Sequence, residues 1–186
     1  MLSPISDREK GLVLVSGPSK GGKSVLAEFL IRNNKHITYI ATSPKDEDKQ
    51  WEKRIEIHKQ RRPNDWNLIE SPVDLVSTIN DIDDSQAILI DSLGSFVYNY
   101  INLDEDSWNN ISTNFVETLK IKNSLIIIVI EETGWGIVSP TKIGNLFKDR
   151  LGTLSQQLQP ISIASWLAIQ GRAINLNNIS SIIPCN

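Results

Sequence analysis

An α/β fold is the architecture this sequence predicts: a mostly parallel sheet with helices on both faces and a strand that can run antiparallel at one edge. Three observations predict it. Five short apolar runs alternate with helical stretches, the order required by parallel strands joined through crossover helices. One of these runs, Leu125–Ile130, reads LIIIVI with no polar residue, as a strand buried on both faces does. Finally, a turn rich in glycine and lysine, SGPSKGGKS, separates the first apolar run from the first helical stretch. Open α/β sheets bind their ligands at such carboxyl ends of strands.

Each element has its own signal. Strands are expected at 12–17 (LVLVSG), 37–42 (ITYIAT), 87–92 (AILIDS), 125–131 (LIIIVIE) and 165–171 (SWLAIQG), and 174–176 reads as a last short strand or hairpin arm. Helices are expected at 23–33, 45–61, 73–80, 107–120 and 141–157. The acidic run Asp104-Glu105-Asp106 reads as a solvated turn that caps the fourth helix. Trp108 and Trp166 read as packing residues, and His36 as a structural residue opening a strand. Residues 1–10 are expected to form an N-terminal extension, and 11–186 a single domain large enough to bury a core.

Composition narrows the function classes. Hydrophobic residues make up 40% and charged residues 22%, ordinary for a soluble globular chain. A net charge of −3 argues against a general nucleic-acid binder and leaves room for a local basic patch. The single cysteine, Cys185, allows neither an internal disulfide nor a cysteine metal cage and fits a reducing compartment. MLSPISDREK lacks the apolar core of a secretory signal, and no run is long enough to span a bilayer. A cytoplasmic protein is the expectation.

Gly17-Pro18-Ser19-Lys20-Gly21-Gly22-Lys23-Ser24 matches G-x-x-x-x-G-K-[ST]. A loop this short turns successive N–H groups inward only where some residues adopt angles that a Cβ disfavours. The helix that follows adds its positive end. In this pattern Lys23 reaches the β- and γ-phosphates of a nucleoside triphosphate, the Ser24 hydroxyl binds Mg²⁺, and Lys20 adds charge at the rim. The expected architecture is thereby a Rossmann-like P-loop NTPase fold. Asp91 ends the run AILID. Beside a P-loop, a carboxylate at such a strand tip is a partner for Mg²⁺; the alternative is a cap for the next helix.

The segment WEKRIEIHKQRRPNDW is the second unusual feature. On a helix, Arg54 lies one turn before His58, and Arg61 and Arg62 one turn after it. Neighbouring positive charges favour the neutral imidazole, which is a nucleophile, and the same arginines suit a polyphosphate. The alternative reading is a solvated basic helix face.

Taken together, these motifs resemble the bifunctional adenosylcobinamide kinase / adenosylcobinamide-phosphate guanylyltransferase family of cobalamin biosynthesis, over about 12–156. The resemblance rests on the phosphate loop, on YIAT with Ser43, and on Arg54-Ile55-x-x-His58 followed by Arg62-Pro63-x-x-Trp66 and Glu70-x-Pro72. It continues through LIDSL (89–93), Glu132-Thr-Gly134-Trp-Gly136-Ile137-Val138, and Phe147-Lys148-Asp149 with Gly152. It implies two reactions: phosphorylation of adenosylcobinamide, with ATP or GTP as donor, and transfer of GMP from GTP to the phosphate through a guanylylated histidine at His58. It also implies nucleotide contacts from Ala41, Thr42, Ser43, Lys59, Gln60, Arg61, Arg62, Glu70 and Asp91, a corrinoid substrate, and a homotrimer. Trp135, between two glycines, lines the base or corrinoid site or covers apolar surface. Some positions depart from the family pattern. Glu131-Glu132 stands for Asn-Glu, Thr153 and Ser155 for Arg and Asn, and Asn145 for a basic residue, and an acidic pair before the last strand is replaced near Ala164-Ser165. Two other readings remain: a kinase in which His58 binds phosphate without being modified, and a non-catalytic nucleotide-binding regulator on the same scaffold.

Overall fold

A computed structural model describes residues 2–43, 63, 65–70, 72, 74–136 and 138–183 of the chain. Within them lie seven strands: β1 (Gly11–Gly17), β2 (Ile37–Ala41), β3 (Asn67–Glu70), β4 (Ala87–Asp91), β5 (Leu125–Glu131), β6 (Ser162–Ile169) and β7 (Arg172–Asn175). The helices are α1 (Lys23–Ile31), α2 (Leu75–Asp81), α3 (Leu93–Asn99), α4 (Glu105–Ile121), α5 (Lys142–Leu158) and α6 (Leu176–Ile179). The expected helix at 45–61 lies outside the described residues.

The strands form one sheet in the order β3-β2-β4-β5-β1-β6-β7. All neighbours are parallel except β6 and β7, which are antiparallel. The antiparallel edge is local in origin. Ile169 pairs with Arg172, and the two residues between them, Gln170 and Gly171, both have positive φ (51° and 71°), as a tight hairpin turn requires.

Alternation along β5 explains the unbroken run LIIIVI. Ile126, Ile128 and Ile130 point into one core with Leu12, Leu14, Ile88, Ile90, Phe96, Phe115 and Leu154. Leu125, Ile127 and Val129 point into the other, with Val13, Val15, Leu26, Ala27, Leu30 and Leu89. Side chains of period two supply both faces at once, so β5 is apolar at every position from Leu125 to Ile130. Trp108 is buried at 3% exposure in the first core, and Trp166 packs against the second. Asp104 caps α4, accepting from Ser107 N at 2.8 Å, with Glu105 and Asp106 in the first turn.

Three elements were not anticipated, one of them the short α6, Leu176–Ile179, where a strand or hairpin arm at 174–176 was expected. β3 is a four-residue edge strand paired only with β2, and Asn67, Leu68 and Glu70 on it are exposed. α3 starts two residues past β4, without the polar break that marks most strand-to-helix joints.

Arg150 on α5 holds the end of α3. It is 4% exposed, donates to the carbonyls of Tyr100 (3.1 Å), Ile101 (3.3 Å) and Leu103 (2.8 Å), and lies 5.0 Å over the Trp108 ring. Arg150→Met takes this donor from the Ile101 and Leu103 carbonyls, while Tyr100 O keeps Leu103 N at 3.1 Å. We expect a loss of about 3 kcal/mol, read as a lower urea midpoint at unchanged slope.

Candidate nucleotide-binding site

The phosphate loop is shaped by contact with the β6–β7 hairpin. Gly17 (φ 149°) ends β1 and Gly22 (φ 107°) precedes α1. A Cβ on Gly17 would sit 2.1 Å from the Ala168 carbonyl oxygen, and one on Gly21 would sit 2.5 Å from the same atom. Gly171 N donates to Gly21 O at 3.1 Å. The loop is thus pressed against the backbone of β6 and the hairpin turn, and side chains are excluded from that side. Ser19 and Lys20 are exposed at the rim, Pro18, Lys23 and Ser24 are half-buried, and Lys20 takes a positive φ of 59°. A glycine-rich loop of this sequence, packed against β6 and leading directly into the N-terminus of α1, is the arrangement that suits a polyphosphate.

Lys23 folds over the loop and donates to Pro18 O at 2.9 Å. Burial pushes its ammonium below the usual lysine range, opposed by the charges of Glu131, Asp91 and Glu132. The charges of these three carboxylates thus reach Lys23. Asp91 stands at the tip of β4 in register with Ala41 on β2 and Val129 on β5. Its Oδ2 accepts from the Tyr39 hydroxyl at 2.7 Å. Mg²⁺ in nucleotide sites is held by one or two protein oxygens, with phosphates and water completing the octahedron, and the Ser24 hydroxyl and the Asp91 carboxylate are oxygen donors of that kind.

The β2 end contributes next. Ala41 is half-buried and pairs with Glu70, the exposed last residue of β3. Thr42 is buried, its Oγ1 donating to Ser92 O at 2.7 Å and accepting from Ser92 N at 2.6 Å. Ser43 Oγ lies 3.0 Å from Ser95 Oγ. The structure therefore brings Gly17–Ser24, Ala41–Ser43, Glu70 and Asp91 to the carboxyl ends of β1, β2, β3 and β4. His58, Lys59, Gln60, Arg61 and Arg62 lie outside the described residues. Trp135 is 60% exposed in the loop that follows β5.

Glu131 and Glu132 raise the question of whether a second acid beside the phosphates is repulsive. Glu131 turns aside. Its carboxylate accepts from the Ser92 hydroxyl and, at 2.9 Å, from Gly94 N, and burial pushes its pKa up against those hydrogen bonds. Glu132 begins the loop beside the cradle, its N donating to Gly17 O at 2.9 Å. Burial raises its pKa too, while Lys23 pulls it down. In the sequence Glu131 stands out only as a departure from the family pattern, because its partners lie at the start of α3 (the cap Ser92 and Gly94), which has no sequence signal of its own.

The fold and the loop define a P-loop nucleotide-binding protein of the NTPase class. Solved structures agree: an ATPase of a bacterial type III secretion system aligns over 92% of this chain and 59% of its own at a TM-score of 0.58, and a protein of Pyrococcus horikoshii OT3 over 93% and 87% at 0.51. Both are 9% identical and show the fold alone. The profile of the cobinamide kinase / cobinamide phosphate guanyltransferase family, CobU, matches residues 13–176, and the chain belongs to that family. The bifunctional adenosylcobalamin biosynthesis protein CobU of Escherichia coli (strain K12) is 28% identical over 180 residues, spanning 89% of this chain and 99% of its own. The bifunctional protein CobP of Pseudomonas aeruginosa (strain PAO1) is 30% identical over 148 residues, spanning 78% and 85%. Membership makes the chain an enzyme of cobalamin biosynthesis, a bifunctional kinase and guanylyltransferase. No helix among the described residues is long and apolar enough to cross a membrane.

Proposed function

We propose that one nucleotide site serves both reactions, with His58 as the covalent carrier of GMP and adenosylcobinamide as the acceptor. The single observation that carries the reading is the phosphate cradle at the ends of β1 and α1, built against Ala168 and Gly171, in a chain of this family.

In the kinase step the hydroxyl of the aminopropanol arm attacks the γ-phosphorus. The bond to the β-phosphate oxygen breaks, and a nucleoside diphosphate leaves. The residues position and neutralise: the loop amides and Lys23 hold the β- and γ-phosphates, and no protein nucleophile is needed. Asp91 and Glu70 are the candidates to take the hydroxyl proton. In the guanylyl step a neutral imidazole nitrogen of His58 attacks the α-phosphorus of GTP. A P–N bond forms, the bond to the β-phosphate oxygen breaks, and pyrophosphate leaves against Lys23 and the loop amides. A phosphate oxygen of adenosylcobinamide phosphate then attacks the same phosphorus, the P–N bond breaks, and adenosylcobinamide-GDP forms. Ser24 and Asp91 would hold Mg²⁺, which supplies charge neutralisation at the phosphate oxygens. Thr42, Ser43, Lys59, Gln60, Arg61 and Arg62 are proposed nucleotide contacts, with a homotrimer as the proposed assembly.

The test is incubation with α-labelled or γ-labelled GTP and Mg²⁺, followed by denaturation. We expect acid-labile label from α-labelled GTP only, lost in His58→Ala, with γ-transfer to adenosylcobinamide retained. Transfer of γ-label without any covalent α-label would leave a kinase in which His58 is not the carrier. Binding with neither transfer would leave a regulator.

A further inference from the structure

Glu131 ends β5 beside the phosphate loop, yet its carboxylate is bonded to the turn that follows β4. Its carboxylate accepts from the Ser92 hydroxyl and from Gly94 N at 2.9 Å. Both donors lie within three residues of Asp91, on the turn that starts α3. The same turn is gripped from the other side by β2. Thr42 N donates to Asp91 O at 3.1 Å, Ser92 N donates to Thr42 Oγ1 at 2.6 Å, and Thr42 Oγ1 donates back to Ser92 O at 2.7 Å. Ser92 Oγ and Ser43 Oγ both approach Ser95 Oγ, at 3.5 and 3.0 Å. One polar network thus joins the tips of β2, β4 and β5. The space is closed as well: a Cβ on Gly94 would meet only Glu131 among its nearest atoms, with Oε2 at 2.5 Å.

From this geometry we propose that Glu131 is a positioning residue: it clamps the turn at Ser92–Gly94 so that the Asp91 carboxylate is held ready for the Mg²⁺ that accompanies the nucleotide. The clamp works through its two accepted hydrogen bonds, and Asp91 itself is the group that meets the metal. Buried polar networks confer rigidity when every member is satisfied, and partners one shell out from a metal ligand typically change affinity ten- to a hundredfold when removed. The inference rests on the assignment of Asp91 to the metal side of the nucleotide.

The test is equilibrium dialysis of labelled GTP over a Mg²⁺ series and in EDTA, on the full chain. Glu131→Ala and Ser92→Ala are expected to raise the Mg²⁺ midpoint about tenfold and to leave GTP binding in EDTA unchanged. The double variant is expected to be no worse than either single one. Glu131→Gln, which keeps an acceptor for Gly94 N and a partner for Ser92, is expected within about twofold of wild type. Gly94→Ala, which displaces the carboxylate, is expected to resemble Glu131→Ala, and combining the two is expected to restore the stability that Gly94→Ala alone loses, because the added methyl then has room. A wild-type midpoint in Glu131→Ala would overturn the proposal. So would a Glu131→Gln as impaired as Glu131→Ala, which would make the charge rather than the clamp responsible, or a loss of GTP binding in EDTA, which would mean a damaged cradle. These binding results do not depend on turnover. If wild type binds Mg²⁺ and GTP normally but transfers neither phosphate nor GMP, the functional reading fails while the clamp is still measured; if wild type binds no GTP, both fall.

Discussion

Lys23→Ala is expected to abolish phosphoryl transfer and histidine guanylylation together while the chain stays folded. The lysine is half-buried, and its one hydrogen bond given by the structure is to Pro18 O in its own loop, so its loss costs the fold little, within about 1 kcal/mol. Catalysis loses far more. Negative charge develops on the departing diphosphate in one reaction and on pyrophosphate in the other, and both would leave against the same ammonium. Removing one preorganised group of this kind typically costs a hundred- to a thousandfold in kcat. The measurement is the rate of γ-transfer and of α-label capture beside a circular-dichroism melt. Loss of one activity with the other intact would mean that the two reactions do not share the cradle.

Gly17→Ala is expected to produce the largest loss of stability of any single methyl added to this chain. The new carbon would lie 2.1 Å from the Ala168 carbonyl oxygen, and that atom belongs to the backbone of β6, which cannot rotate away as a side chain can. The residue's φ of 149° is itself disfavoured with a Cβ. Either β1 and β6 part or the loop is redrawn. We expect about 4 kcal/mol or more, or failure to fold, together with loss of GTP binding. A soluble Gly17→Ala protein with wild-type melting temperature and GTP affinity would contradict the packing of the loop against β6. Gly152→Ala is the contrasting control, because nothing lies within 4 Å of a Cβ there.

How legible the molecule was depends on where each element's instruction resides. The five main strands were readable because each is an apolar run with turn residues around it, and LIIIVI announced its central position by having no polar face. The signals for α4 and α5 were equally local, with Asp104 and Thr141 capping their first turns, and α1 follows directly on the glycine-rich loop. β3 was not readable. NLIE is short and mostly exposed, and it becomes a strand only by pairing with the free edge of β2. α3 was missed because its apolar positions, Leu93, Phe96 and Val97, span barely one helical repeat, and Ser92 alone separates it from β4. β6 begins at Ser162, three residues earlier than its apolar core indicated, because Ser162 pairs with Leu12 across a bulge.

The sequence by itself determined the chemistry on offer: a phosphate loop between strand and helix, a carboxylate at a strand tip, and a family signature around His58. Those are contiguous motifs, and their geometry follows from local backbone rules. Only the tertiary structure decided what holds them. The loop has no room for side chains at 17 and 21 because the carbonyl of Ala168, distant in the chain, occupies the space, and the Glu131 carboxylate is tied to Ser92 and Gly94 because α3, which no local pattern announced, brings them to it. Steric exclusion and hydrogen-bond satisfaction between distant segments exist only after the sheet has assembled.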